Sequence, residues 1–233
     1  MIKEPPGLFF RFKCSIISDK MKCKYCKQKC IRVGKQKNGK QKYRCKSCEK
    51  YQQRNYKNKP KEHSIIILLK EGCGIRSIAR LLHVSPTTVQ RRILKISSRV
   101  KAPPITKGKE YEIDEMCTYV DNKNKKRWIA YSLRRDTKEV VNFVLGTRTK
   151  RTISQVTNSI LLSEPKMIYT DKLNIYKGLL PEELHSTKQY SINHIERNNL
   201  TVRTHLKRLN RRTICYSKSA LMLSACLRIY FWG

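Results

Sequence analysis

Acidic residues are what this sequence is short of. It holds 17 Asp and Glu against 52 Lys and Arg, a formal charge of +35 over 233 residues. So strong a self-repulsion excludes a chain that works without a polyanionic partner, and nucleic acid is the obvious one. A genome rich in A and T would enrich Lys, Ile, Asn and Tyr, but it gives no reason for Glu to be rare. Long apolar runs are missing as well. PPGLFF and CSII near the start are too short to span a bilayer, and no signal-peptide cleavage pattern goes with them, so no membrane role is expected. Residues 1–20 read as a disordered or spurious tail, with Met21 as the expected native start. The length suits one large domain or two to three small ones.

Cysteine, by contrast, is plentiful and patterned. Cys23-x-x-Cys26 is followed after eighteen residues by Cys45-x-x-Cys48. Those knuckles, KCKYCKQK and RCKSCEK, suit four thiolates around a structural Zn²⁺ at about 2.3 Å. A CxxC pair is a poor disulfide staple, and nothing argues for an oxidising compartment. A ribbon of this size, expected over 21–59, buries no core of its own. Metal binding would therefore supply most of its folding energy, on the order of 10 kcal/mol. Cys30 is a spare thiol beside the set, while Cys14, Cys73, Cys117, Cys215 and Cys226 default to small buried hydrophobes. From Lys20 to Lys61 there are seventeen Lys and Arg and one acid, Glu49. With Tyr25, Tyr43, Tyr51 and Tyr56 interleaved, this reads as a surface that tracks phosphates and stacks on bases.

Pro60 closes that module, and residues 60–100 carry a helical pattern: EHSIIILLKEG, IRSIARLLH, a VSP turn, then TTVQRRILKISSRV. Ile78, Ala79, Leu82, Val84, Val89 and Ile93 have the spacing of a helix-turn-helix core. Ser85 is the expected N-cap and Pro86 the first helical residue. Thr87, Thr88, Gln90 and Arg91 would then face the major groove, where Gln reads adenine and Arg reads guanine. His83 stands where a small residue, usually glycine, is expected, and His tolerates a left-handed turn better than branched residues do.

KAPPITKG begins a linker over 101–109, and an α/β domain is expected over 110–233. Glu110–Val120, Arg127–Leu133 and Glu139–Leu145 read as a strand meander, TISQVTNSILL as a covering helix, and IYTD as the end of a parallel strand. Alternation puts Glu112, Asp114, Met116 and Thr118 on one face of the first strand. Trp128 is expected in the core. Asp171 closes the IYTD strand, and after twenty-four intervening residues Glu196 lies on the first turns of an amphipathic helix expected to run to about Leu209, with Ile195, Val202, Leu206 and Leu209 as its stripe. Arg203 follows Glu196 by two turns and so shares its face. This set suits metal-binding acids with a base that positions phosphate. The plainer readings are a wet edge strand for Glu112 and Asp114, an N-cap for Asp171, and a helix-start acid for Glu196. Beyond Glu196 no acid remains, while eight basic residues follow, the pattern of a DNA groove or of a solvated helix face.

YEIDEMCTYV, KKRWIAYSLRRDTKEVVNFVLGTR, IYTDKLNIY and INHIERNNLTVRTHLKRLNRRTICYSKS, in this order and spacing, resemble the DDE transposases of the insertion sequence one family, from about Met21 to the C-terminus. The resemblance implies a ribonuclease H-like mixed sheet with flanking helices, preceded by the zinc ribbon and the helix-turn-helix. It implies Asp114, Asp171 and Glu196 as an acidic triad holding Mg²⁺ or Mn²⁺, Asp114 bridging two ions, and Arg203 as the basic residue seven positions after the glutamate. Ser217, Lys218 and Ser219 match the family's motif near the end, which makes Lys218 a DNA-backbone contact. The implied substrates are double-stranded terminal inverted repeats and target DNA, cut at the 3′ strand and then joined. The implied setting is the nucleoid of a prokaryotic cytoplasm, with a homo-oligomer on DNA. A DNA-binding regulator with a degenerate catalytic domain is the alternative.

Overall fold

The computed structural model describes residues 21–37, 39–53, 61–188, 190–210, 212–213 and 215–233. The expected tail over 1–20 and the boundary at Pro60 lie outside them. The chain divides into two compact units on either side of residue 60.

The first unit is a three-stranded antiparallel sheet of β1 (Cys30–Lys35), β2 (Gln41–Cys45) and β3 (Tyr51–Gln52), in that order. Its buried hydrophobic side chains are Cys23, Tyr43 and Cys45. Apolar burial at about 25 cal/mol per Å² cannot hold so small a core together.

The second unit opens with α1 (Glu62–Lys70), α2 (Ile75–Leu81) and α3 (Pro86–Ser97). Ser85 caps α3 by accepting from the Thr88 amide at 3.2 Å, and Pro86 takes the first helical position. His83 does adopt the left-handed conformation, with φ of 50°.

A five-stranded sheet follows in the order β6-β5-β4-β7-β8, from β4 (Glu110–Val120), β5 (Asn122–Arg134), β6 (Val140–Gly146), β7 (Met167–Tyr169) and β8 (His185–Ser186). The first three run antiparallel as the expected meander, whereas β7 joins β4 in parallel and β8 joins β7 likewise. Helices cover both faces. Ile153, Val156 and Ile160 of α4 (Lys150–Leu161) and Tyr176 of α5 (Asn174–Lys177) pack on Tyr111, Ile113 and Ala130. On the opposite face, Ile195 and Val202 of α6 (Asn193–His205) and Leu223 and Leu227 of α7 (Ala220–Trp232) pack on Met116, Ile129 and Tyr131.

Helix α7 has a second partner. Its Ala225, Cys226 and Ile229 are buried among Ile65, Leu69, Ile78, Val89, Ile93 and Ile96 of α1–α3. A helix that is apolar on most of its circumference needs partners on more than one side, and α7 finds them by lying between the sheet and the three-helix head, with Leu221 near its start left exposed. The turn between α1 and α2 closes on the far side of the same seam. Gly72, at φ of 74°, sits where a Cβ would come within 2.0 Å of the His205 carbonyl oxygen, so only glycine fits the approach.

Candidate active site and DNA-facing surfaces

The parallel pairing of β4 with β7 sets the central geometry. Glu112 lies opposite Tyr169, so two residues further along stand Asp114 on one strand and Asp171 just past the end of the other. One carboxylate oxygen each from Asp114, Glu115 and Asp171 lies within 4.8 Å of the others. Burial, with Glu115 and Asp171 alongside, pushes the Asp114 carboxyl up to about 6.

The acids are held from several segments of the chain, α6 for Asp114 and the β6–α4 loop for Glu115 and Asp171. Asn199 of α6 donates from Nδ2 to Asp114 Oδ2 at 2.6 Å, and Tyr131 OH donates to Asn199 Oδ1 at 2.8 Å. With its oxygen taken by Tyr131, the amide must present its NH₂ to Asp114. Glu115 is clasped by Arg148, whose Nε and Nη2 both lie 3.2 Å from Oε2, and its other oxygen accepts from Tyr176 OH. Arg148 Nη2 is also 3.9 Å from Asp171 Oδ2, and its guanidinium lies 4.4 Å over the Trp128 ring. Trp128, expected in the core, is therefore a half-buried platform for this cation. Glu112, fully buried, accepts from the Ile195 amide at 2.8 Å and pairs with Arg135 Nε at 3.2 Å, which pins the start of α6 to β4.

Glu196 lies on the exposed side of the first turn of α6, three residues before Asn199 and outside the cluster formed by the other carboxylates. Arg203 reaches backbone: Nη1 donates to the Leu209 carbonyl at 3.0 Å and Nη2 to that of Cys117 at 3.5 Å. Lys218 Nζ donates to the Asp121 carbonyl at 3.4 Å. Glu115, Arg148, Tyr176, Tyr131 and Asn199 escaped the sequence reading. The one signal for Glu115 was its place beside Asp114 in YEIDEM.

In the first unit the Sγ atoms of Cys23, Cys26, Cys45 and Cys48 lie within 4.8 Å of one another, with contacts of 3.5 Å between Cys23 and Cys48 and 3.3 Å between Cys26 and Cys45. None is in a disulfide. The Cys26 amide, followed by that of Tyr25, draws the Cys23 thiol down to about 6. Cys30 stands apart, accepting from Gln52 Nε2 at 2.6 Å. Of the scattered cysteines Cys226 is buried, Cys73 and Cys117 are half-buried, and Cys215 is exposed, against the default for it. On α3, Thr87, Gln90 and Arg91 are exposed, and Thr88 is half-buried against Ser85. Among the described residues no helix is long and apolar enough to cross a membrane.

A mixed sheet with helices on both faces, acids on adjacent parallel strands and a preceding three-helix head is the plan of a ribonuclease H-like DNA-processing enzyme. Residues 110–231 match the family model for IS1 transposase, and residues 63–95 match that for a helix-turn-helix domain. The insertion element iso-IS1n protein InsB of Shigella dysenteriae is 34% identical over 108 residues, covering 46% of this chain and 82% of that one. Insertion element IS1 protein InsB of Shigella flexneri is 35% identical over the same length, covering 82% of its own chain. Insertion element IS1 2 protein InsB of Escherichia coli K12 is also 35% identical, with 65% of its length covered. The chain belongs to the IS1 transposase family: it is a DDE-type transposase that binds DNA and uses divalent metal.

Proposed function

We propose that this transposase recognises the terminal inverted repeats of its own element, hydrolyses the 3′ strand at each end, and joins the freed 3′-hydroxyl to target DNA. The observation that carries this reading is the β4–β7 register, which stands Asp114 beside Asp171, with Glu115 alongside and Arg148 touching Glu115 and Asp171. Oxygen-only donors with a surplus of negative charge fit a hard divalent cation, Mg²⁺ or Mn²⁺. Asp114 and Asp171 would hold it from the sheet, and Glu196 would complete the set from α6 once DNA is bound. Bound ions would supply charge stabilisation to the attacking and leaving oxygens.

The chain's own residues do the rest. Asn199 fixes the Asp114 carboxylate in rotation, and the Arg148 and Tyr176 contacts fix the buried Glu115 carboxyl group in place. In the first step water attacks phosphorus, the bond to the departing strand breaks, and a 3′-hydroxyl is left. In the second that hydroxyl attacks a target phosphorus and displaces the target's 3′ oxygen, with no covalent enzyme intermediate. The four-cysteine ribbon would be closed by Zn²⁺, while Thr87, Thr88, Gln90 and Arg91 read the repeat. Arg203 secures the end of α6, and Lys218 meets backbone phosphate. Two ends must be held together, which calls for at least two copies of the chain on DNA.

The test is a strand-transfer assay on duplexes cloned from the flanks of the gene. Asp171→Asn should bind the ends as the unmodified chain does and yield neither nicks nor joined product. If the unmodified chain binds the ends but never nicks them with Mg²⁺ or Mn²⁺, it is a regulator. If it nicks without joining, it is a nuclease of the same fold.

A further inference from the structure

The head and the catalytic sheet meet along a groove of about 700 Å³ whose lining includes Arg76 and Gln90 from α2 and α3, and Arg208, Ser217 and Lys218 from the segment before α7. Its described lining holds three cations and no carboxylate. Both walls are fixed. The head wall is locked by Ala225, Cys226 and Ile229 of α7 and by the close approach at Gly72. The opposite wall is tied to the end of β4: Ser217 bridges Val120, its carbonyl accepts from the Asp121 amide at 2.7 Å, and its hydroxyl accepts from Arg208 Nη1 at 2.9 Å.

This wall therefore stands at one end of the strand that carries Asp114 near its middle. The six residues from Asp114 to Val120 span about 20 Å at roughly 3.3 Å each. At 3.4 Å per base pair that is about six base pairs of duplex.

We propose that the groove takes one phosphodiester strand of the element's end, and that α7 makes head and catalytic sheet a single rigid gauge. The bases read by α3 and the phosphate that is cut would then keep a constant separation. The inference rests on the end-recognition reading above and extends it. A groove of this volume is too small for a whole duplex but has room for a backbone strand lying along it. Lys, Arg and Ser donors in a lining without a carboxylate, Asp121 standing near Lys218 but outside it, suit phosphate oxygens and carry no base preference.

The experiment uses the full chain with a duplex of the element's end and a scrambled duplex. Hydroxyl-radical footprinting should show a protected cluster of backbone positions about six base pairs from the cleaved bond. Arg76→Glu and Lys218→Ala, both at exposed positions, should each remove protection from that cluster. They should weaken binding to both duplexes by the same factor, on the order of tenfold, and lower the slope of log K against log salt by about 0.9 per lost contact. Inserting or deleting two base pairs between the read sequence and the cleaved bond should abolish cutting at the original position. Unchanged protection and salt slope in both variants, with Arg91→Ala still erasing the preference for the end, overturns the groove and leaves end recognition standing. An unmodified chain that does not prefer the end over the scrambled duplex overturns both.

Discussion

Replacing Ile229 by alanine perturbs the one helix that two cores share. The side chain is fully buried among Ile65, Ile78, Val89 and Ile93, on the head side of α7. The substitution removes three carbons at about 0.8 kcal/mol each and leaves a cavity, so the cost should be about 3 kcal/mol. For a unit running from residue 60 to 233, that corresponds to a fall in Tm of about 6–12 °C. Leu162→Ala is the control, because Leu162 is 82% exposed and its loss should stay within about 0.5 kcal/mol. Scanning calorimetry reads the shift, and sequence-specific DNA binding followed through the same temperature range reads the head. Loss of binding should coincide with melting of the catalytic sheet. If the two variants melt together, or if DNA binding is lost well below the sheet transition, α7 does not couple the two cores.

Four further outcomes follow from the site. Glu196→Gln should abolish metal-dependent nicking, whereas Glu115→Gln should retain partial nicking and lose stability, because Glu115 is already committed to Arg148 and Tyr176; the opposite ranking would make Glu115 the third ligand. Asn199→Ala removes a hydrogen bond to a charged acceptor, worth about 1.5–3 kcal/mol, and should slow nicking at least about tenfold while moving its acid limb to higher pH. Cys45→Ser should lower bound zinc measured by mass spectrometry and unfold the ribbon, yet leave the calorimetric transition of the second unit in place. Because burial holds Asp114 at about 6 against an ordinary 3.8, the folded chain keeps that proton longer than the unfolded one. Stability should therefore fall as pH rises from about 4 to about 6, by about 3 kcal/mol relative to Asp114→Asn, and level off above; apparent Mg²⁺ affinity should weaken below about pH 6.

What could be read in advance was whatever repeats locally. The CxxC pairs, the capped α3, the meander and the stripe Ile195, Val202, Leu206, Leu209 each declare themselves within one segment, and all four residues of that stripe are buried, although the helix stops at His205 instead of running to about Leu209, which sits in a following 3₁₀ turn. The left-handed turn at His83 was legible because histidine carries only a moderate penalty there. The surroundings of the acids were not. Arg148, Trp128, Tyr176 and Asn199 come from the β6–α4 loop, β5, α5 and α6, and only strand register brings them to Asp114, Glu115 and Asp171. Helical spacing correctly put Arg203 on a face with Glu196, but spacing names a face and not a partner, and its guanidinium goes to the carbonyls of Leu209 and Cys117. Helix α7 was missed for the opposite reason. Apolar but for Ser224 and Arg228, it has little periodic contrast to betray it.

The shared helix also bears on the order of events at the ribosome. The core around Ile96 is finished by Ile229, which is made roughly 130 residues later and so on the order of ten seconds afterwards. Until that last helix emerges, a nascent chain has reading helices with an open apolar flank and no fixed offset to any cutting centre. On the function proposed above, a half-made copy would bind DNA more loosely and could not cut an end, so cutting would be confined to finished molecules.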